Sequence, residues 1–164
     1  MTDPTTNAII LDSPDVRRLI SIAARWELLA RLATEVSAMA DGKWEPLLLR
    51  TREDTYRAVM QLVTLVHIAA PDVRSMDFEQ ADGMSVSPLV LGPTEVDVIG
   101  ELVRRALLAS KLLRPLLTQL PENSRTWWDA RKIVDRLDFD GRELLGYVRM
   151  INPDSVLEIL AQIE

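Results

Sequence analysis

Three long stretches of this chain place apolar residues at alternating steps of three and four, and that spacing constrains the fold more than any other feature. The first set is Leu19, Ile22, Trp26, Leu29, Ala33 and Val36; the second is Tyr56, Val59, Val63, Val66 and Ala70. The third is Ile99, Leu102, Ala106, Ala109, Leu113, Leu116 and Leu120. Residues so spaced share one face of a helix, and helices of this length bury such faces against a neighbour. The pattern predicts an all-α protein: a helical bundle of three long helices, about 14–41, 52–70 and 94–120 with a kink near Pro115, joined by three short C-terminal helices.

The boundaries come from end signals. Ser13-Pro14-Asp15 offers a cap, a proline suited to the first helical position and an acid for the positive end of the dipole. Gly42 closes that helix, and Glu27, Arg31 and Glu35 form a charge ladder on its solvent side. Residues 43–50 read as an apolar connector around Trp44 and Pro46. Thr51-Arg-Glu-Asp54 then resembles a capping box for a helix closed by Pro71, and Thr94-Glu-Val-Asp97 supplies another. The second half of the second helix, 62–70, is apolar nearly all round, which predicts a central position. Toward the C-terminus, Asn123 or Ser124 caps a helix to about Leu137, Asp140-Gly141 starts one ending near Ile151, and Asn152-Pro153 opens the last, Ser155 to about Ile163.

Between 71 and 93 the helical rhythm is broken by Pro71, Gly83, Pro88, Gly92 and Pro93, so a long irregular loop is expected, with part of it able to pair as a hairpin. Residues 1–12 read as a flexible N-terminal arm in which Ile9, Ile10 and Leu11 can dock as an extended piece, ahead of a single helical domain, 13–164. The start of the chain lacks the basic and apolar regions of a secretory signal, and charged residues interrupt every apolar run. A cytoplasmic protein with no membrane span is the expectation.

Composition removes several kinds of chemistry. Cysteine is absent, so no disulfide, thiolate nucleophile or thiolate-bound metal is available. His67 is the only histidine, which rules out a two-histidine metal site within one chain, and its enclosed setting reads as a core or interface residue with one partner. Neither a Gly-x-Ser-x-Gly elbow nor a phosphate-cradling glycine run occurs. With a net charge of -6, direct nucleic-acid binding is not expected. The basic and aromatic stretch of Arg125, Trp127, Trp128, Arg131, Lys132 and Arg136 is offset by Asp129, Asp135, Asp138 and Asp140, and reads as a solvated face with one tryptophan partly exposed. Asp77, Glu79 and Asp82-Gly83 depart from calcium-loop spacing.

Carboxylates on helices are the one surviving constellation. Asp97 and Glu101 lie four apart and could share a divalent cation with Glu53 or Asp54. In type this is similar to the all-α nucleotide pyrophosphohydrolases, whose likeness implies a magnesium-dependent phosphohydrolase; their dense Glu-Glu-x-x-Asp run is missing, and Arg105 follows Glu101. The preferred expectation is a non-catalytic, cofactor-free protein-interaction module, an adaptor, regulator, inhibitor or assembly subunit. Its contact residues would be Met76, Phe78, Met84, Val86, Leu89, Val90 and Leu91, an apolar run in a segment expected to be exposed. The partner would be another protein or a second copy. Second apolar rows, Val16, Ile20, Ala23, Leu28, Leu32 and Met39 on the first helix and Val103, Leu107 and Leu117 on the third, suggest self-association there.

Overall fold

The computed structural model describes residues 8–74 and 85–163. They form an all-α structure with one very small sheet. In chain order the elements are β1 (Ile9–Leu11), α1 (Ser13–Met39), α2 (Glu45–Val66), β2 (Leu89–Leu91), α3 (Pro93–Leu113), α4 (Arg125–Ile151) and α5 (Pro153–Ile163). Short 3-10 turns lie at Gly42–Trp44, Pro71–Arg74 and Arg114–Thr118. None of the described helices is long and apolar enough to cross a membrane.

Helix α1 carries its stripe as expected: Leu19, Ile22, Trp26, Leu29, Ala33 and Val36 are all buried. Its cap is Asp12 rather than Ser13. The Asp12 carboxylate accepts from the Asp15 N–H at 3.2 Å, while the Ser13 hydroxyl donates to the Val86 carbonyl at 3.1 Å and ties α1 to the segment before β2. Helix α2 begins at Glu45, well before the expected start, because Pro46 suits the first turn and the sequence after it contains no breaker. Thr51 is therefore no cap. It is buried mid-helix, its hydroxyl donating to the Leu47 carbonyl at 2.8 Å. The helix also stops early, at Val66, leaving His67 and Ile68 exposed in a turn. Exposed Tyr56 and Met60 likewise show that α2 is not the enclosed central element.

Helix α3 ends at Leu113, one residue before a turn that contains Pro115. At its start, the Gly92 N–H donates to the Glu95 carboxylate at 3.1 Å, which satisfies a donor the first turn cannot.

The expected three short C-terminal helices are instead one helix of 27 residues and a terminal one of 11. Ser124 caps α4, accepting from the Trp127 N–H at 3.2 Å, and the helix then runs straight through Asp140-Gly141. The reason is tertiary. Asp140 is 0% exposed and its carboxylate is spent on α1: Arg25 Nε donates to Oδ2 at 3.1 Å, Arg25 Nη2 to Oδ1 at 2.9 Å, and the Trp26 indole N–H to Oδ2 at 3.1 Å. Gly141 provides close approach to α3, since a Cβ there would lie 3.0 Å from Leu107 Cδ2. A further tie is the buried Ser110 hydroxyl of α3, which donates to the Val134 carbonyl of α4 at 2.7 Å.

Helix α1 packs chiefly on α2 and then on α4; α3 packs chiefly on α4, with α2 and α5 beside it. Strands β1 and β2 pair antiparallel, Ile9 with Leu91, Ile10 with Val90 and Leu11 with Leu89. The pairing joins the N-terminal arm to the end of the loop, rather than closing a hairpin within the loop.

Two substitutions separate these contributions. Arg25→Ala leaves the Asp140 carboxylate buried without its counter-charge, so urea unfolding should show a loss of about 3–5 kcal/mol. Gly141→Leu should destabilise by about 1–3 kcal/mol through overpacking against Leu107, while leaving the far-ultraviolet circular dichroism spectrum helical.

Candidate functional site

Two places gather the residues that the sequence singles out, and the first is the seam between α2 and α3. Asp54 of α2 faces Arg105 of α3, with Arg105 Nη1 donating to Asp54 Oδ1 at 3.0 Å; Arg50 Nε lies 4.0 Å from the other oxygen. Glu101, one turn before Arg105, accepts from Arg105 Nε at 2.9 Å and from Arg104 Nε at 3.1 Å. The Arg104 hydrogen bonds chiefly, and those of Arg105 next, hold the Glu101 carboxyl down at about 2 against the opposing effect of partial burial.

Three arginines thus surround two carboxylates, a set suited to holding the helices in register and poorly suited to a divalent cation, whose place the guanidinium groups take. Glu53 is exposed, while Asp97, also exposed, borders a shallow groove against α5 with Ser155 and Glu158. Among the described residues, no group of three or more acidic or histidine side chains is arranged to hold a metal ion. The hollow between α2 and α3 above Trp26 measures about 10 Å³, room for no more than one water, and the groove beside it, bordered by Leu47, Leu108 and Leu112, about 80 Å³. Both are far below the size of an ordinary small-molecule site.

The second place is the small sheet. Of the expected contact residues, Met76, Phe78 and Met84 lie outside the described residues, as do Asp77, Glu79, Asp82 and Gly83. Of the other four, the three on β2 divide by strand alternation. Leu89 and Leu91 are buried in the core, which corrects their placement on a surface: successive strand side chains point to opposite faces, and these two point inward. Val90 points outward and is 58% exposed beside its cross-strand partner Ile10, 73% exposed. Val86 is half-buried against the core. Each strand has one edge without a neighbouring strand among the described residues.

His67, expected in an enclosed setting, is exposed because α2 ends before it. The tryptophans serve packing and tethering: Trp26 is buried on Asp140, Trp44 Nε1 donates to Gln119 Oε1 at 3.0 Å, and Trp127 Nε1 donates to the Leu117 carbonyl at 3.0 Å. Trp128 is the exposed member of its pair, its ring edge-on to Trp127 at 4.8 Å. The Arg25–Asp140–Trp26 cluster was not legible as a unit, since Asp140 lies more than a hundred residues from Arg25 and Trp26; a charge in the otherwise apolar inner row of α4 was the one available signal.

Glu101 titrates lower in the folded protein than in the unfolded chain, so its contribution to stability is complete above about pH 4.5 and is lost as pH falls toward 2. Because the pair is half exposed, the contribution should stay under about 1 kcal/mol. Urea melts across this range should show Glu101→Gln less stable than the parent at neutral pH, with the difference shrinking as acid is added.

Compared with known proteins, the chain matches no family model, no curated protein and no solved structure.

Proposed function

We propose that this protein is a non-catalytic interaction module, a helical bundle that presents the outer face of β1 and β2 to an extended segment of a partner protein. The observation that carries this reading is the Ile10–Val90 pair: two large apolar side chains, adjacent across the strands, both facing solvent. Isolated exposed apolar residues are ordinary, but here the pair sits on a two-stranded sheet, each strand of which has one edge with no further strand among the described residues. Backbone groups along such an edge can bond to an added strand, and the side chains beside it supply apolar contact. The core beneath is well anchored, with Leu11, Leu89 and Leu91 all buried under the strands. A rigid base of this kind lowers the ordering cost of binding.

The arginine-filled seam supports the non-catalytic part of the reading. Asp54 and Glu101, half of the acidic set considered for magnesium, are already neutralised by Arg105 and Arg104. A preformed magnesium site would raise the melting temperature through mass action. No rise is expected at millimolar magnesium or manganese, and a clear one would favour the phosphohydrolase reading instead.

Val90→Lys should leave the thermal melt nearly unchanged, within about 0.5 kcal/mol, because the side chain is exposed. Leu91→Ala, one residue on, should cost about 2–5 kcal/mol. Proteins retained from the native source by the parent chain and released by Val90→Lys would be the expected partners. Equal retention by both would reject the sheet as the contact.

A further inference from the structure

Helix α4 carries two helical seams. Its inner row, Ala130, Ile133, Val134, Leu137, Gly141 and Leu144, faces the core. On the opposite side, Trp128, Lys132, Asp135, Phe139 and Arg142 repeat at steps of four and three, the spacing of a second, solvent-facing seam. Trp128 is 51% and Phe139 57% exposed. The seven residues bordering the groove on this face all belong to α4, so among the described residues no other element forms an opposing wall.

This outer seam complements itself. When a second α4 is laid antiparallel, a pairing of Trp128 with Phe139 of the second copy sets Lys132 opposite Asp135 of that copy, and each pair occurs twice about the two-fold axis. The flanking positions agree: Asp129 falls opposite Arg136, and Arg131 opposite Asp138. Aromatic thus meets aromatic, and Asp135 and Asp138, already paired within α4 to Arg131 at 3.3 Å and Arg142 at 3.1 Å, each meet a further opposite charge across the seam. The next layer in each direction would bring Arg142 toward Arg125, a like-charge contact that limits the seam to the stretch from Trp128 to Phe139, about 16 Å of helix.

From this match we propose that α4 is the surface through which two copies of this chain associate, as an antiparallel pair of helices related by two-fold symmetry. The aromatic residues supply the apolar contact at the ends and the Lys132–Asp135 pairs fix the register. The α1 and α3 rows are only partly available for self-association: Leu28 and Met39 of α1 are exposed and Leu32 and Leu117 are half-buried. Val16, Ile20 and Ala23 of α1 and Val103 and Leu107 of α3 are buried within the chain itself. Balanced charge along the seam also disfavours nucleic acid, which needs an excess of unpaired cations.

Charge reversal tests the register directly. Sedimentation velocity of the full chain, from micromolar to millimolar, should show a dimer whose share rises with concentration and falls with added salt. K132E and D135K should each be monomeric over that range, with melts like that of the parent, because each sets like charges together in the seam. An equimolar mixture of the two variants should recover the dimer, since the reversed side chain at 132 in one copy then meets the reversed one at 135 in the other. A monomeric parent, dimers that survive either single variant, or a mixture that stays monomeric would each overturn the proposal. The surface is built on residues other than Ile10 and Val90, so Val90→Lys should dimerise like the parent, and either reading can fail without the other.

Discussion

A carboxylate with no exposed surface sits in the middle of α4, and the placing of that helix depends on how the charge is satisfied. Asp140 could not be buried alone, because removing an ionised carboxylate from water costs far more than one apolar contact returns. Arg25 supplies a two-point counter-charge and Trp26 a third donor, so all the compensation comes from one turn of α1. Arg25 remains partly exposed. Its guanidinium keeps some hydration while its fork reaches inward, a division that arginine's long stem permits.

The neighbouring residue fixes the other side. Gly141 brings α4 close to Leu107 of α3, so two consecutive residues set its distance from two different helices. The remaining ties act near the ends: the Tyr147 hydroxyl donates to Asp15 at 3.2 Å, and Trp127 bonds to the Leu117 carbonyl. Tyr147 is pushed toward a higher pKa, first by burial and then by the nearby Asp15 charge, so it keeps its proton and remains a donor. With α4 held along its length, its inner face belongs to the core and its outer face is left rigid and presented to solvent.

Elsewhere polar groups act as fasteners between elements that share less apolar surface. The seam between α2 and α3 is laced by Asp54, Arg105, Glu101 and Arg104. Such partly exposed pairs contribute little stability individually. Their effect is directional: they favour one alignment of two helices and occupy carboxylates that would otherwise attract cations. The same economy appears at the sheet, where three residues of the arm and three of the loop alternate between core and solvent.

The sequence by itself determined the helical class and the inner faces of α1 and α3, because amphipathic spacing is a local property and needs no knowledge of neighbours. Alternation at 89–91 was hidden, since a three-residue strand takes its identity from a partner some eighty positions away in the chain. Asp140-Gly141 was misread for a related reason. Aspartate followed by glycine favours a turn when only local hydrogen bonding competes, but here the carboxylate is claimed by Arg25 and the missing side chain by Leu107. Both claims come from helices far off in the chain, and only tertiary packing could decide between a break in α4 and one continuous rod.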